Sequence, residues 1–351
     1  MDINLPFQFA GQTKQIVVTE ATATNQTKPL ILLLHGLSGN QHNMWDPNTD
    51  NYNRKAPFPP DQDLGWMSWP AVGIHSFTLD PRFGPMKGWK PVLEAQGFRT
   101  AVYNQIDGDG LLARPAQELA VVVQTLITNA PMAKIVILAH SRGGLLARKF
   151  IKINKNTALT APLTKVITLH SPHSGTNLAN LANDVKAAIA TLQAAFGNIV
   201  LDALAWLRDT VSKPSFQELA VGSPFLTDLA NGETPLQGVT YHTFGGTSVA
   251  YSRVLSWVYT LDSSIPHFSW SWSSGLVTQF HHVIKLIETP VISPILESLP
   301  DLTDEITPGK GDMLTSNGRD HLGFSVHHTN ALNHAEAQWD PGLQSQVLQI
   351  L

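Results

Sequence analysis

Ser141 stands where a nucleophile could be presented. The residues from Ile135 to Ala139 are an apolar, largely β-branched run that predicts a buried strand. After the serine come Gly143 and Gly144, and then Leu145, Leu146, Phe150 and Ile151 at helical spacing, so Ser141 falls on a sharp strand-to-helix turn. A serine hydroxyl becomes an effective nucleophile when a neighbouring base takes its proton and a third group orients that base. Candidate bases lie late in the chain, at His321, His327, His328 and His334. Carboxylates lie both before the serine, at Asp107 and Asp109, and after it, at Asp301, Asp304, Glu305 and Asp312. The plain alternative is a strand ending in a glycine turn with an incidental serine. The chain has no cysteine, which excludes a thiol nucleophile, disulfides and thiolate zinc sites. His267, His281 and His282 lack a carboxylate at consistent spacing, so no zinc site is expected from them.

The elements that must hold these groups follow from periodicity. Short apolar runs predict strands at residues 15–19, 29–34, 98–103, 135–139, 165–169 and 238–246. Helices are expected at 89–97, closed by Gly97, and at 115–128, where Leu119, Val122, Val123, Leu126 and Ile127 make one stripe. Strands alternating with helices predict a mostly parallel sheet covered on both faces. With 351 residues and 43% hydrophobic content, a single domain over 1–351 with insertions is expected. Residues 40–88 and 247–300, rich in tryptophan and poor in periodicity, are the two insertions. Residues 177–210 carry apolar positions three and four apart, as an amphipathic helical segment does. A net charge of -4, 14% charged residues and no Lys/Arg-rich run argue against nucleic acid or an anionic membrane surface as the main partner. No apolar run reaches the ~18 residues of a membrane span. The first residues have neither a basic start nor an apolar core, so no secretory signal is visible.

Ala139 and Gly143, small residues two before and two after the serine, complete the nucleophile elbow of the α/β-hydrolases. Alanine at the first place, with His140 just before the serine, resembles one branch of bacterial true lipases. That resemblance runs in order from residue 29 to 341 and implies the α/β-hydrolase fold with a helical lid over 177–237. It implies that Leu37, after His35 and Gly36, and Arg142, after the serine, give backbone N–H groups to an oxyanion hole. Its chain order of serine, acid, histidine sets Asp107 and Asp109 aside as turn residues. Gly309-Lys310-Gly311-Asp312 is similar to the turn that carries the lipase acid, with Met313 where glycine is usual. Asp312 is therefore the expected acid, although Asp in a Gly-rich turn is also ordinary turn chemistry; Asp301, Asp304 and Glu305 are less well framed. Asn333-His334-Ala335-Glu336 is similar to the lipase histidine signature, which makes His334 the expected base and His328 the next choice. The stretch from His170 to Thr176 resembles a structural lipase loop, so His173 is not expected to act. The resemblance also implies a structural Ca²⁺ held by Glu336, Asp340 and the carbonyl of Pro341, with spacing one residue shorter than in one branch. No cofactor for the chemistry is implied.

The expectation is a serine ester hydrolase of the lipase type. It would act on medium or long acyl esters, as a monomer, on lipid at an oil–water interface. A short-chain carboxylesterase or polyester hydrolase is the alternative within the enzyme class. Outside it stands a catalytically dead hydrolase fold that uses its pocket for binding.

Overall fold

A computed structural model describes residues 2–21, 27–37, 77–78, 87–131, 133–180, 213–248, 260–261, 303–312, 314–334 and 336–351. The chain opens with an antiparallel hairpin of β1 (Asp2–Phe9) and β2 (Gln12–Ala21). Its two-residue turn, Ala10-Gly11, has positive φ at both positions, which matches the twist of the paired strands. There follow β3 (Leu30–Leu34), β4 (Phe77–Thr78), α1 (Trp89–Ala95), β5 (Arg99–Tyr103), α2 (Ala113–Asn129), β6 (Ile135–His140), α3 (Arg142–Ile153) and β7 (Leu163–Leu169). The second half carries α4 (Asn177–Asn180), α5 (Pro214–Gln217), α6 (Pro224–Ala230), β8 (Thr240–Gly246), β9 (Thr260–Leu261), α7 (Thr303–Ile306), β10 (Val326–Asn330) and α8 (Pro341–Ile350).

Eight strands form one sheet in the order β1-β2-β5-β3-β6-β7-β8-β10. From β5 to β10 every neighbouring pair is parallel, and the hairpin at the other edge joins β5 in antiparallel fashion. The central strands show why their sequences are apolar without interruption. On β3, Leu30, Leu32 and Leu34 enter one core with Leu119 and Val122 of α2 and Leu146 and Phe150 of α3. Ile31 and Leu33 point the other way, into a second core with Trp89 and Leu93 of α1 and Leu343 and Val347 of α8. A strand buried on both faces has no polar side to alternate with.

The sequence expectations extend to most of these elements. The first expected strand, 15–19, is the middle of the longer β2. Two strands of the eight-stranded sheet have no counterpart in the sequence reading: β1, whose burial merely alternates, and β10, whose Val326-His327-His328-Thr329-Asn330 carries one aliphatic residue. The insertions at 40–88 and 247–300 lie almost wholly outside the described residues. What is described of them includes the antiparallel pairing of β4 with β9. Most of the amphipathic stretch, 181–212, also lies outside. Its described flanks belong to the core, where Leu178, Phe216, Leu219, Leu226 and Leu229 are buried. Of the expected lid over 177–237, residues 181–212 thus lie outside the described residues.

Candidate active site

β6 ends at His140, and α3 starts at Arg142. Ser141 between them has φ 55° and ψ -129°, a left-handed conformation that costs a residue with a Cβ on the order of 1–3 kcal/mol. The surroundings impose it. The Ser141 N–H donates to Leu169 O at 2.9 Å. A Cβ on Gly143 would stand 2.7 Å from Leu34 O and 2.8 Å from His35 O, so only glycine lets α3 approach the β3 end this closely. The result is a hydroxyl lifted above the carboxyl end of the parallel sheet.

His334 Nε2 lies 2.8 Å from Ser141 Oγ, and His334 Nδ1 lies 2.8 Å from Asp312 Oδ2. The base and acid loops are tied through their backbones as well, since His334 N–H donates to Asp312 O at 3.1 Å. His140 Nε2–H donates to His334 O at 2.9 Å, so the peptide groups on both sides of His334 are fixed. Burial holds the His140 pKa well below the usual histidine value, with smaller contributions from His334 and His170. Its ring is therefore neutral.

Asp312 is fully buried. Its Oδ1 accepts the N–H groups of Leu314 at 2.9 Å and Thr315 at 2.7 Å. Burial by itself would raise this carboxyl. The charge interaction with His334 and hydrogen bonds from His170 and His334 outweigh it and hold Asp312 well below the usual carboxylate range. Met313, the departure from the lipase pattern, and Ala335 lie outside the described residues.

The remaining candidates fall elsewhere. Asp304 pairs with Lys310 at 3.1 Å on the surface, and Glu305 pairs with Arg319 at 2.6 Å; Asp301 lies outside the described residues. His328 sits on β10, stacked on Phe244 with ring centroids 4.4 Å apart. His327 bonds Thr243 Oγ1 through Nδ1 at 2.8 Å, and the His321 ring lies 5.1 Å from it. His173 is buried, with Nε2 2.8 Å from Thr168 Oγ1. Asp107 accepts the Gly110 N–H through its carbonyl, and Asp109 pairs with Lys213 at 2.6 Å. His267, His281 and His282 lie outside the described residues.

The two residues expected to supply oxyanion donors adjoin segments beside the serine. Arg142 is the first residue of α3, where an N–H has no intrahelical acceptor. Leu37 follows Gly36, which lies so close that a Cβ built on it would stand 2.8 Å from Ser141 Cβ. His35 shapes that loop: its Nδ1–H donates to Gly36 O at 2.9 Å, and its Nε2 accepts from the Gln105 N–H at 3.3 Å. Burial lowers its pKa to about 4, so it stays neutral. The Arg142 side chain turns away from the serine and caps Gly108 O at 2.7 Å and Gly110 O, bracing the 107–110 loop.

The expected calcium ligands have local tasks. Asn333 and Glu336 form a reciprocal capping box: Glu336 Oε2 accepts the Asn333 N–H at 2.9 Å, and Asn333 Oδ1 accepts the Glu336 N–H at 3.0 Å. Asp340 is the N-cap of α8 and accepts the Leu343 N–H at 2.8 Å. Calcium takes about six to eight oxygen ligands. Two carboxylates already engaged in capping, plus the Pro341 carbonyl, do not make that set. His170, Asp312 and His334 also bring three ligand atoms within 4.8 Å of one another. Both imidazoles, however, meet Oδ2 through Nδ1–H, which leaves neither Nδ1 a lone pair for a cation.

One site residue had no role in the sequence reading. His170, at the end of β7, places Nδ1 2.9 Å from the same Asp312 Oδ2. The only sequence signal is a histidine where an apolar strand stops, and nothing local connects it to an aspartate 142 residues away.

No family model matches the sequence, and no curated protein matches it. Solved structures do. The mature form of Bacillus licheniformis lipase BlEst2 is similar over 95% of this chain and 96% of its own, at 14% identity and a TM-score of 0.52. The propeptide form of the same lipase is similar over 95% of this chain and 54% of its own, at 15% identity and a TM-score of 0.52. At such identity the likeness is one of fold: the chain has the α/β-hydrolase fold.

Proposed function

We propose that this α/β-hydrolase-fold chain is a serine ester hydrolase. The observation that carries the reading is one line of contacts, Ser141 Oγ to His334 Nε2 and His334 Nδ1 to Asp312 Oδ2, each 2.8 Å. In the first half-reaction His334 Nε2 takes the Ser141 proton as Oγ bonds to the ester carbonyl carbon. The carbonyl oxygen becomes an oxyanion and receives the N–H groups of Leu37 and Arg142, each donor worth about 3 kcal/mol in such a transition state. Asp312 stabilises the imidazolium without taking its proton. Collapse breaks the C–O bond, and His334 gives its proton to the departing alcohol. Water then attacks the acyl-enzyme by the same route, with His334 as base, and Ser141 leaves with its proton restored.

The substrate class proposed is carboxylic esters of medium or long acyl chains, met as lipid. The apolar repeat in the sequence of 177–210 and the aromatic insertions support this over a short-chain site. Each methylene buried in such a groove is worth about 0.8 kcal/mol, so chain length is the discriminating variable. The test is hydrolysis of p-nitrophenyl esters from acetyl to palmitoyl at about pH 8, by the wild type and by Ser141→Ala. A maximum at about eight carbons or more, abolished in Ser141→Ala, is the expected result. A maximum at acetyl or butyryl would keep the mechanism and move the substrate to short-chain or polymeric esters. No Ser141-dependent turnover on any ester would leave a fold that binds without reacting.

A further inference from the structure

Asp312 is held by four donors, and only one of them reaches Ser141. Oδ1 takes the backbone N–H groups of Leu314 and Thr315; Oδ2 takes Nδ1–H of His334 and, at 2.9 Å, Nδ1–H of His170. An ionised carboxylate offers about four lone-pair sites, so the set is full. His170 is completely buried and is held in place from all sides. Its φ is 50°, its backbone N–H donates to Phe244 O at 2.7 Å, and its ring uses the space left by Gly246, where a Cβ would stand 2.4 Å from His170 Cε1.

The far side of the ring meets Asn330. His170 Nε2 faces Asn330 Oδ1 at 3.2 Å, while Asn330 Nδ2 is buried with no partner among the described residues. Asn330, His170 and Asp312 thus form one line of contacts through the His170 ring.

We propose that His170 is a positioning residue for the reaction, acting through Asp312, with Asn330 holding the far side of its ring. Asp312 needs such a support. It sits in a loop closed by one isolated bridge, Gly311 to Ser316, and outside the sheet. Two backbone N–H groups fix Oδ1 but leave the carboxylate free to rock about that oxygen. The His170 bond on Oδ2 removes this motion and fixes the lone pair that meets His334. A buried histidine that merely satisfied itself would affect stability alone; a positioning histidine affects kcat.

The inference rests on the reading of Ser141, Asp312 and His334 as a catalytic triad. Its test compares the wild type with His170→Leu, which fills space without a donor, and His170→Asn, whose amide N–H can replace Nδ1–H. In ester hydrolysis, His170→Leu is expected to lower kcat about tenfold at unchanged KM, and His170→Asn to recover most of it. Proton NMR of the wild type is expected to show two downfield imidazole N–H signals, and that of His170→Leu one. Asn330→Leu, which keeps His170 but frees its far side, is expected to lower kcat about threefold and serves if His170→Leu does not fold. Wild-type kcat in His170→Leu, or in Asn330→Leu in its place, overturns the inference while leaving the triad intact. So does a His170→Asn protein that melts like the wild type yet is as slow as His170→Leu. A wild type with no Ser141-dependent turnover overturns the triad reading, and the role of His170 falls with it.

Discussion

Replacing Asp312 with asparagine should disable the site by turning a histidine the wrong way round. The side chain keeps its shape, so the question is how the amide sits. Oδ1 faces two backbone N–H groups, at 2.9 and 2.7 Å, that cannot move without unravelling the 312–315 turn. An NH₂ placed there would oppose two donors, so the amide must keep its oxygen at that position. Its NH₂ then faces the imidazoles of His334 and His170, which the carboxylate met at 2.8 and 2.9 Å. His334 can answer only by presenting Nδ1 as an acceptor, which puts its proton on Nε2, 2.8 Å from Ser141 Oγ. A protonated Nε2 cannot take the serine proton, and no carboxylate remains to stabilise an imidazolium. The expected loss in kcat is roughly ten-thousandfold, about 5.4 kcal/mol. It should appear both in steady-state ester hydrolysis and in the rate at which a fluorophosphonate labels Ser141, while a thermal melt shows a folded protein. An Asp312→Asn enzyme within about tenfold of the wild type would refute the reasoning and send the search for the acid to another carboxylate.

Three further outcomes are expected. Gly36→Ala brings a Cβ within 2.8 Å of Ser141 Cβ and must displace the loop carrying Leu37, so kcat should fall about 10- to 100-fold with KM little changed; wild-type kinetics would show that this loop does not serve the oxyanion. Asp320 is buried, and burial together with the Asp312 charge raises its pKa from 3.8 to about 8. Between those values the folded state holds a proton that the unfolded state has released, so stability falls as pH rises through that window, by a few kcal/mol at most. Asp320→Asn should therefore raise the melting temperature more at pH 9 than at pH 5, and an equal effect at both would show an ordinary Asp320. Dialysis against EDTA should leave activity and melting temperature unchanged, because Glu336 and Asp340 are engaged as caps; a loss restored by Ca²⁺ would show that capping and metal binding coexist there.

Much of this site was legible because its parts are local. The elbow is a strand, a turn and a helix in immediate succession, and Gly143, two after the serine, is what lets the helix approach the end of β3 so closely. The pairing of Asn333 with Glu336 is likewise set by a spacing of three residues, although its local task proved to be a cap. Where the sequence left several groups of one type, only the resemblance of Asn333-His334-Ala335-Glu336 to the lipase signature separated His334 from His327 and His328, and residue type alone did not. β10 binds His327 and His328 into the sheet edge beside β8, and the loop after it carries His334 to the serine.

The sequence by itself determined the alternation of elements, the double-faced burial of the central strands and the backbone turn that exposes Ser141, since each depends on contacts within a few residues or on apolar period. Tertiary structure alone decided how Asp312 and His334, which the sequence singled out only by resemblance, line up with that serine, and that a second imidazole, His170, shares the same carboxylate oxygen. The meetings of Ser141 with His334 and of His170 with Asp312 join segments more than a hundred residues apart across neighbouring strand ends. Hydrogen bonds of this kind depend on position in space to within a few tenths of an ångström, and no local pattern of residue types carries that information.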